Sequence, residues 1–294
     1  MTLTDTAPPR AVDPSRTLAL VSLTKPRVVA ANGALILVGA ASTGAVALHT
    51  LLPAMLGGLL VIASAAAGNQ WFERDVDARM DRTRTRPLPA GTLPAHTALL
   101  ASAALLAAGL AVLALHSSPP ALAWAATGWV LYTLLYTPAK RWSPTSLHLG
   151  ALSGAVTPLL GAYASSPHPG ATPWAIALFV LLWQYPHFMA IGLRRRSEYR
   201  ASGLAVYTAR HTARRCVNLA RASATALLAA GLLVPGPNLM AVWVVSALPL
   251  VIMSLRNPAG RLDPWARELF LASLWSMLLF GTGVLVTWFF GAGA

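Results

Sequence analysis

Long apolar runs separated by short polar segments make up most of this chain. A helix that crosses a bilayer needs about 20 mostly apolar residues. Windows that meet this stand at 28–48, 51–72, 97–115, 119–137, 146–164, 172–193, 217–235, 238–255 and 267–290. The pattern predicts an all-α, polytopic membrane protein with about nine transmembrane helices. The fifth window is rich in Gly, Ala and Ser, which suits close helix packing, because lipid gives helices no hydrophobic drive to associate. Residues 1–22 hold no apolar core and are expected to form a disordered cytoplasmic tail, with 23–294 as a single membrane domain.

Composition supports the pattern. Hydrophobic residues make up 56% of the chain and charged residues 11%, against roughly 25% charged in soluble domains. The net charge of +13 would suggest nucleic acid in a soluble protein. Here all 22 Lys and Arg fall in the N-terminal segment and in alternate connections, and the other connections hold none. That is the positive-inside asymmetry, with the N-terminus and the long connectors in the cytoplasm and the C-terminus outside. The partner it implies is the lipid bilayer, and no nucleic acid. The single cysteine, Cys216, excludes an internal disulfide and a Cys-cluster metal site.

Chemistry concentrates at the cytoplasmic ends of the windows. Of nine acidic residues, Glu73, Asp75, Asp77 and Asp81 lie within one short stretch. Asn69, Glu73, Asp77 and Asp81 recur every fourth position. At about 100° per residue each such step turns about 40°, so a helix would carry them as one stripe. Asp75 points elsewhere, toward Arg74 or Arg79. Close carboxylates repel unless a cation sits among them. Oxygen ligands without His or Cys suit a hard ion such as Mg²⁺, which binds through a few carboxylates and substrate phosphates. Arg82, Arg84 and Arg86 follow directly, and acids for metal beside arginines for phosphate describe a diphosphate site. Glu198 is the only acid between residues 82 and 262 and lies on the same side. The bland alternative is a solvated helix end with surface ion pairs. A transporter would place its site near the bilayer midplane, where this chain has no acid.

The stretch Asn69-Gln70-Trp71-Phe72-Glu73-Arg74-Asp75-Val76-Asp77, followed by Arg82-Thr83-Arg84-Thr85-Arg86-Pro87, resembles the first motif of UbiA-type intramembrane prenyltransferases. Within them it is most similar to the branch that farnesylates protohaem IX, the haem O synthases. Thr24-Lys25-Pro26-Arg27, Tyr136-Thr137-Pro138-Ala139-Lys140-Arg141 and Trp183-Gln184-Tyr185-Pro186-His187-Phe188 agree, and Glu198-Tyr199-Arg200-Ala201-Ser202-Gly203 resembles the second motif. Glu73 stands where the family normally has Asp, and Ser197 and Glu198 stand where it usually has two acids. Ser146 replaces a common Asn, and Leu204-Ala205-Val206-Tyr207 replaces Pro-Met-Leu-Pro.

The resemblance implies helices around a central cavity open to the cytoplasm, and farnesyl transfer from farnesyl diphosphate to a vinyl group of haem b. Asn69, Glu73, Asp77 and Glu198 would be metal ligands and, with Lys140, catalytic residues. Arg82, Arg86, Arg141, Tyr199, Trp183 and His187 would bind substrate, His187 as the residue that contacts haem, with the haem iron as a candidate bond, and His148 a weaker candidate. Trp71, Phe72, Trp183, Tyr185 and Phe188 are expected as the aromatic walls of an apolar cavity, while Trp124, Trp129, Trp142 and Trp288 read as an interfacial belt. Haem A synthase or terminal-oxidase assembly proteins would receive the product. The rival acceptor is a quinone precursor or another aromatic.

Overall fold

The computed structural model of the chain describes residues 14–291 apart from Ala45, Pro235 and Ala259, and among the described residues every regular element is helical. In chain order these are α1 (Pro14–Leu23), α2 (Pro26–Ala41), α3 (Leu48–Asp77), α4 (Ala95–His116) and α5 (Pro119–Trp129). A π-helical segment (Val130–Tyr136) then runs into α6 (Thr137–Ala139). The remainder are α7 (Ser146–Ala155), α8 (Thr157–Ser165), α9 (Thr172–Arg194), α10 (Arg196–Ala201), α11 (Tyr207–Arg210), α12 (Ala213–Gly231), α13 (Pro237–Leu255) and α14 (Leu262–Gly291).

Each apolar window falls on a helix or an interrupted helix. By length and hydropathy six spans qualify alone, α7 with α8 counting as one, and a seventh if α1 and α2, bent by 41°, count as one. The two windows that do not qualify have visible reasons. One is interrupted by the π-helical segment, and the other, α12, carries Arg214, Arg215 and Arg221. The outward face is apolar, with Leu100, Trp275 and Phe290 all exposed, as lipid contact requires.

One expectation fails within the N-terminal segment. Residues 14–22, assigned to a disordered tail, belong to α1, and Leu23 at its end is fully buried. Ala19 and Leu23 pack with Ala67, Leu93 and Ala98, so the segment does have an apolar face, too short to register as a span. The rest of the expected tail, residues 1–13, lies outside the described residues.

Small residues set the packing of the first half. A Cβ on Gly39 would lie 1.9 Å from the Pro158 carbonyl oxygen, and one on Gly161 would lie 1.9 Å from that of Ile36. Thus α2 and α8 touch backbone to backbone. In the second half, α9, α12, α13 and α14 enclose a core in which Phe179 stacks on Phe280 at 3.6 Å, with Trp243 edge-on to both.

Two local breaks position the site. Gln70 Nε2 donates to the carbonyls of Ser22 and Leu23, at 3.1 and 2.9 Å. The Ser22 carbonyl also accepts from Lys25 N at 3.2 Å, whereas that of Leu23 is one that the end of α1 leaves open. The chain then turns through Lys25, whose φ of 51° is the one positive value at a non-glycine residue among the described residues. Pro26 supplies the N-terminal turn of α2, where its missing N–H costs nothing. The second break is the π-helical segment. Pro138 has no N–H to give, and the Thr137 N–H reaches back to the Tyr132 carbonyl, five residues away. The Thr137 hydroxyl donates to the same oxygen at 2.8 Å.

Candidate active site

Residues Asn69, Glu73 and Asp77 occupy successive turns on the buried face of α3, each less than a tenth exposed. They line a polar cavity of about 330 Å³, together with Lys25, Arg82, Arg86, Lys140 and Tyr199. Each acceptor on the stripe meets a cation. Lys25 Nζ donates to Asn69 Oδ1 at 2.6 Å. Lys140 pairs with Glu73, both side chains being almost wholly enclosed. Arg86 Nη1 pairs with Asp77 Oδ2 at 2.6 Å. The register of the π-helical segment matters here, because the Asn69 amide also donates to the Thr137 hydroxyl at 3.2 Å. Asn69 is therefore locked from both sides, and Lys140 follows three residues later beside Glu73.

The stripe is shorter than its spacing suggested. Helix α3 ends at Asp77, and Asp81 lies on an exposed turn paired with Arg84 at 3.5 Å. The fourfold repeat places side chains on one face only while the helix lasts. Asp75 points away and pairs with Arg74, as expected.

Other candidates fall in different places. Glu198 does not line the cavity; its Oε1 meets Arg195 at 2.8 Å, and Oε2 is buried with no hydrogen-bond partner. Asp77 Oδ1 is likewise buried without one. Among the described residues, no three His, Cys, Asp or Glu side chains converge on one point. Arg141 is absent from the lining too, because its guanidinium caps the Phe72 carbonyl and ties the following loop to α3. The connector from α9 to α12 closes over this end, with Ala205 N donating to the Lys140 carbonyl at 2.8 Å. Tyr199 packs on Val76, Met80 and Leu204. Burial pushes its phenol above the ordinary value, so it stays a neutral donor.

Beside the polar cavity lies an apolar chamber of about 360 Å³. Val28, Tyr132, Tyr136 and Phe188 line both spaces and form the boundary between them. Trp183, His187 and Phe188 line the chamber, as the sequence indicated. Trp71, Phe72 and Tyr185 do not. Trp71 is turned into the packing beneath α1, with Phe72 edge-on at 5.0 Å, and Tyr185 hydroxyl bonds to exposed His148 Nδ1 at 2.9 Å. Their places are taken by Trp124 and Trp129, expected in an interfacial belt, and by Tyr132 and Tyr136. Trp142, at 73% exposed, does lie at the surface, while Trp288 is half-buried and donates to the Gly44 carbonyl at 3.2 Å.

Lys25 is the site residue that sequence reasoning passed over. Its signal lay in Thr24-Lys25-Pro26-Arg27, one of the stretches that agree with the family, but that stretch does not show that the turn swings its ammonium onto Asn69.

A polar cavity of facing acids and cations thus adjoins an aromatic chamber inside a helical membrane bundle. The sequence profile of the UbiA prenyltransferase family matches residues 31–268, and the chain belongs to that family. It is an integral membrane protein. It is 35% identical over 283 residues to a protoheme IX farnesyltransferase of Anaeromyxobacter sp. (strain Fw109-5), covering 93% of each chain. Similarity to the protoheme IX farnesyltransferase of Sorangium cellulosum (strain So ce56) is 36% over 241 residues, 79% of this chain and 85% of that one. A solved UbiA homolog from Aeropyrum pernix K1 shares the fold with a TM-score of 0.72 at 18% identity, covering 89% of this chain and 98% of the other. A UbiA homolog from Archaeoglobus fulgidus, solved bound to DMAPP and Mg²⁺, does so with a TM-score of 0.66 at 15% identity and the same coverage.

Proposed function

We propose that the chain transfers the farnesyl group of farnesyl diphosphate to a vinyl group of protohaem IX, giving haem O, with its catalytic side toward the cytoplasm and nine spans. What supports the reading above all is similarity over 93% of both chains to a protoheme IX farnesyltransferase. The two adjoining spaces agree with it, since a diphosphate head and an isoprenoid or porphyrin body need a charged and an apolar compartment side by side.

The donor set suits a hard divalent cation, being all oxygen, with Asp77 Oδ1 and Glu198 Oε2 buried and unpartnered. Asn69, Glu73 and Asp77 would hold Mg²⁺, with Glu198 toward a second ion, and the metal would neutralise the leaving diphosphate. Lys25, Lys140, Arg82 and Arg86 bind phosphate oxygens from the cavity wall and offset the charge that grows as the C–O bond breaks. The allylic carbon then lies at the boundary of the two spaces. There the Tyr132, Tyr136 and Phe188 rings face its developing positive charge, and the apolar walls exclude water. The vinyl π pair of haem attacks that carbon as the C–O electron pair leaves with diphosphate; only after the new C–C bond has formed does water add its oxygen to the cation left on the vinyl group, and a proton departs to solvent.

The test has two parts. Haem extracted from cells expressing the chain is expected to contain a farnesylated, hydroxylated product by mass. Purified protein with farnesyl diphosphate is expected to convert haem b and leave 4-hydroxybenzoate unchanged. Product from 4-hydroxybenzoate alone would replace this reading with a quinone-precursor transferase.

A further inference from the structure

We propose that Ser273, on α14, is the positioning residue that fixes the tautomer of His187 and thereby presents a free Nε2 lone pair to the apolar chamber. The inference rests on the haem reading and adds to it the group that prepares the ligand.

His187 Nδ1 lies 2.8 Å from Ser273 Oγ. Either atom of such a pair can donate in principle. The second bond of the serine decides between them. Ser273 Oγ donates its one proton to the Phe270 carbonyl, at 2.6 Å, and so can only accept from the imidazole. The proton therefore sits on Nδ1 of His187, and Nε2 carries the lone pair. No hydrogen-bond partner for Nε2 exists among the described residues, and His187 lines the chamber. An imidazole with one nitrogen held by a hydrogen bond and the other bare is the arrangement in which histidine binds metal.

Packing fixes the ring plane as firmly as the bond fixes the tautomer. Trp183 stacks on the imidazole at 4.6 Å, and Phe270 lies 5.3 Å away. Trp183 is itself pinned, since its indole Nε1 donates to the Ser273 carbonyl at 2.7 Å. Ser273 thus holds the histidine through its hydroxyl and the tryptophan through its backbone. Its side chain is fully buried, so no water competes for either bond. The ligand class that fits is a metalloporphyrin, flat enough for an aromatic-walled chamber and able to accept a nitrogen donor.

The backbone bond to Trp183 survives any change at this side chain, which makes Ser273→Ala a clean removal of the hydroxyl. Ferric haem b is titrated into wild type, Ser273→Ala, Ser273→Thr and His187→Ala in lipid nanodiscs, and the Soret band is followed alongside farnesyl transfer. Wild type is expected to show an imidazole-ligated spectrum that His187→Ala loses. Ser273→Ala is expected to bind haem about ten- to a hundredfold more weakly, with a shifted band, and Ser273→Thr to restore both. Thermal unfolding of Ser273→Ala close to wild type would separate this effect from a loss of folding. Ser273→Ala with the wild-type spectrum and affinity would overturn the inference. So would a wild-type protein that farnesylates haem b without any spectrum dependent on His187, leaving the proposed function standing. A wild type that neither binds nor converts haem b overturns both.

Discussion

Arg86 closes on Asp77 across nine residues of chain, with Nη1 2.6 Å from Oδ2, while the other carboxylate oxygen of Asp77 remains buried and unpaired. The cation thus occupies half of the acid's donor capacity and leaves the other half turned inward. Asp77→Asn keeps the size and can still accept from Arg86, so insertion and folding are expected to persist. Transfer is expected to fall by about a hundredfold or more, the scale seen when one pre-set electrostatic partner of a transition state is removed. Turnover near wild type would make the acidic stripe a structural device.

The same pairing has a thermodynamic consequence. Glu73, Asp77 and Asn69 are each engaged by a basic side chain. A metal alone must displace those cations, and a diphosphate alone must approach the carboxylates. Together they re-pair every charge, cations to phosphate and acids to metal. Mg²⁺ with diphosphate is therefore expected to raise the melting temperature by more than the sum of the two separate shifts. Purely additive shifts would contradict this. Chelation of the metal is expected to abolish diphosphate binding and transfer together.

Lys25 offers a test that separates backbone from charge. Its left-handed conformation costs a residue with a side chain roughly 1–2 kcal/mol, and glycine adopts it freely. Lys25→Gly is expected to keep or slightly raise stability, yet to raise the KM for farnesyl diphosphate about tenfold, through loss of the ammonium beside Asn69. An unchanged KM would make Lys25 a turn residue only.

The approach of α2 to α8 makes a stability prediction. A side chain at Gly39 meets the backbone at Pro158, which has no rotamer to move aside. Gly39→Leu is expected to destabilise the protein in detergent by about 1–3 kcal/mol or more, seen as a lowered melting temperature. Gly91→Leu makes the contrast. A Cβ there meets no atom within 4 Å, and only the positive φ of 72° is strained.

How much of this was legible in the sequence depended on the range of the signal. Apolar runs report burial in lipid, so every window found its helix. The acid stripe was readable because its residues share one helix, and its overextension to Asp81 marks where helical periodicity stopped applying. The chamber walls were harder to read. Trp71 and Trp124 look alike in sequence, but only the crossing of helices turns Trp124 inward and Trp71 under α1. Lys25 was missed because its role depends on Gln70 capturing the end of α1, a contact across 47 residues. Ser273 was hidden for the same reason, lying in a long apolar helix with no charged neighbour to draw notice.

The π-helical run from Val130 to Tyr136 also acts as a phase shifter. Its wider turns offset everything downstream by a fraction of a screw rotation relative to an unbroken α-helix. Tightening this run to plain α-helix at unchanged length would turn the following segment by roughly one residue's rotation, about 100°, carrying Lys140 off Glu73 and Thr137 off Asn69 while leaving helix content nearly unchanged. The meeting of Lys140 with Glu73 is therefore set by the backbone phase of this run as much as by the identity of either side chain.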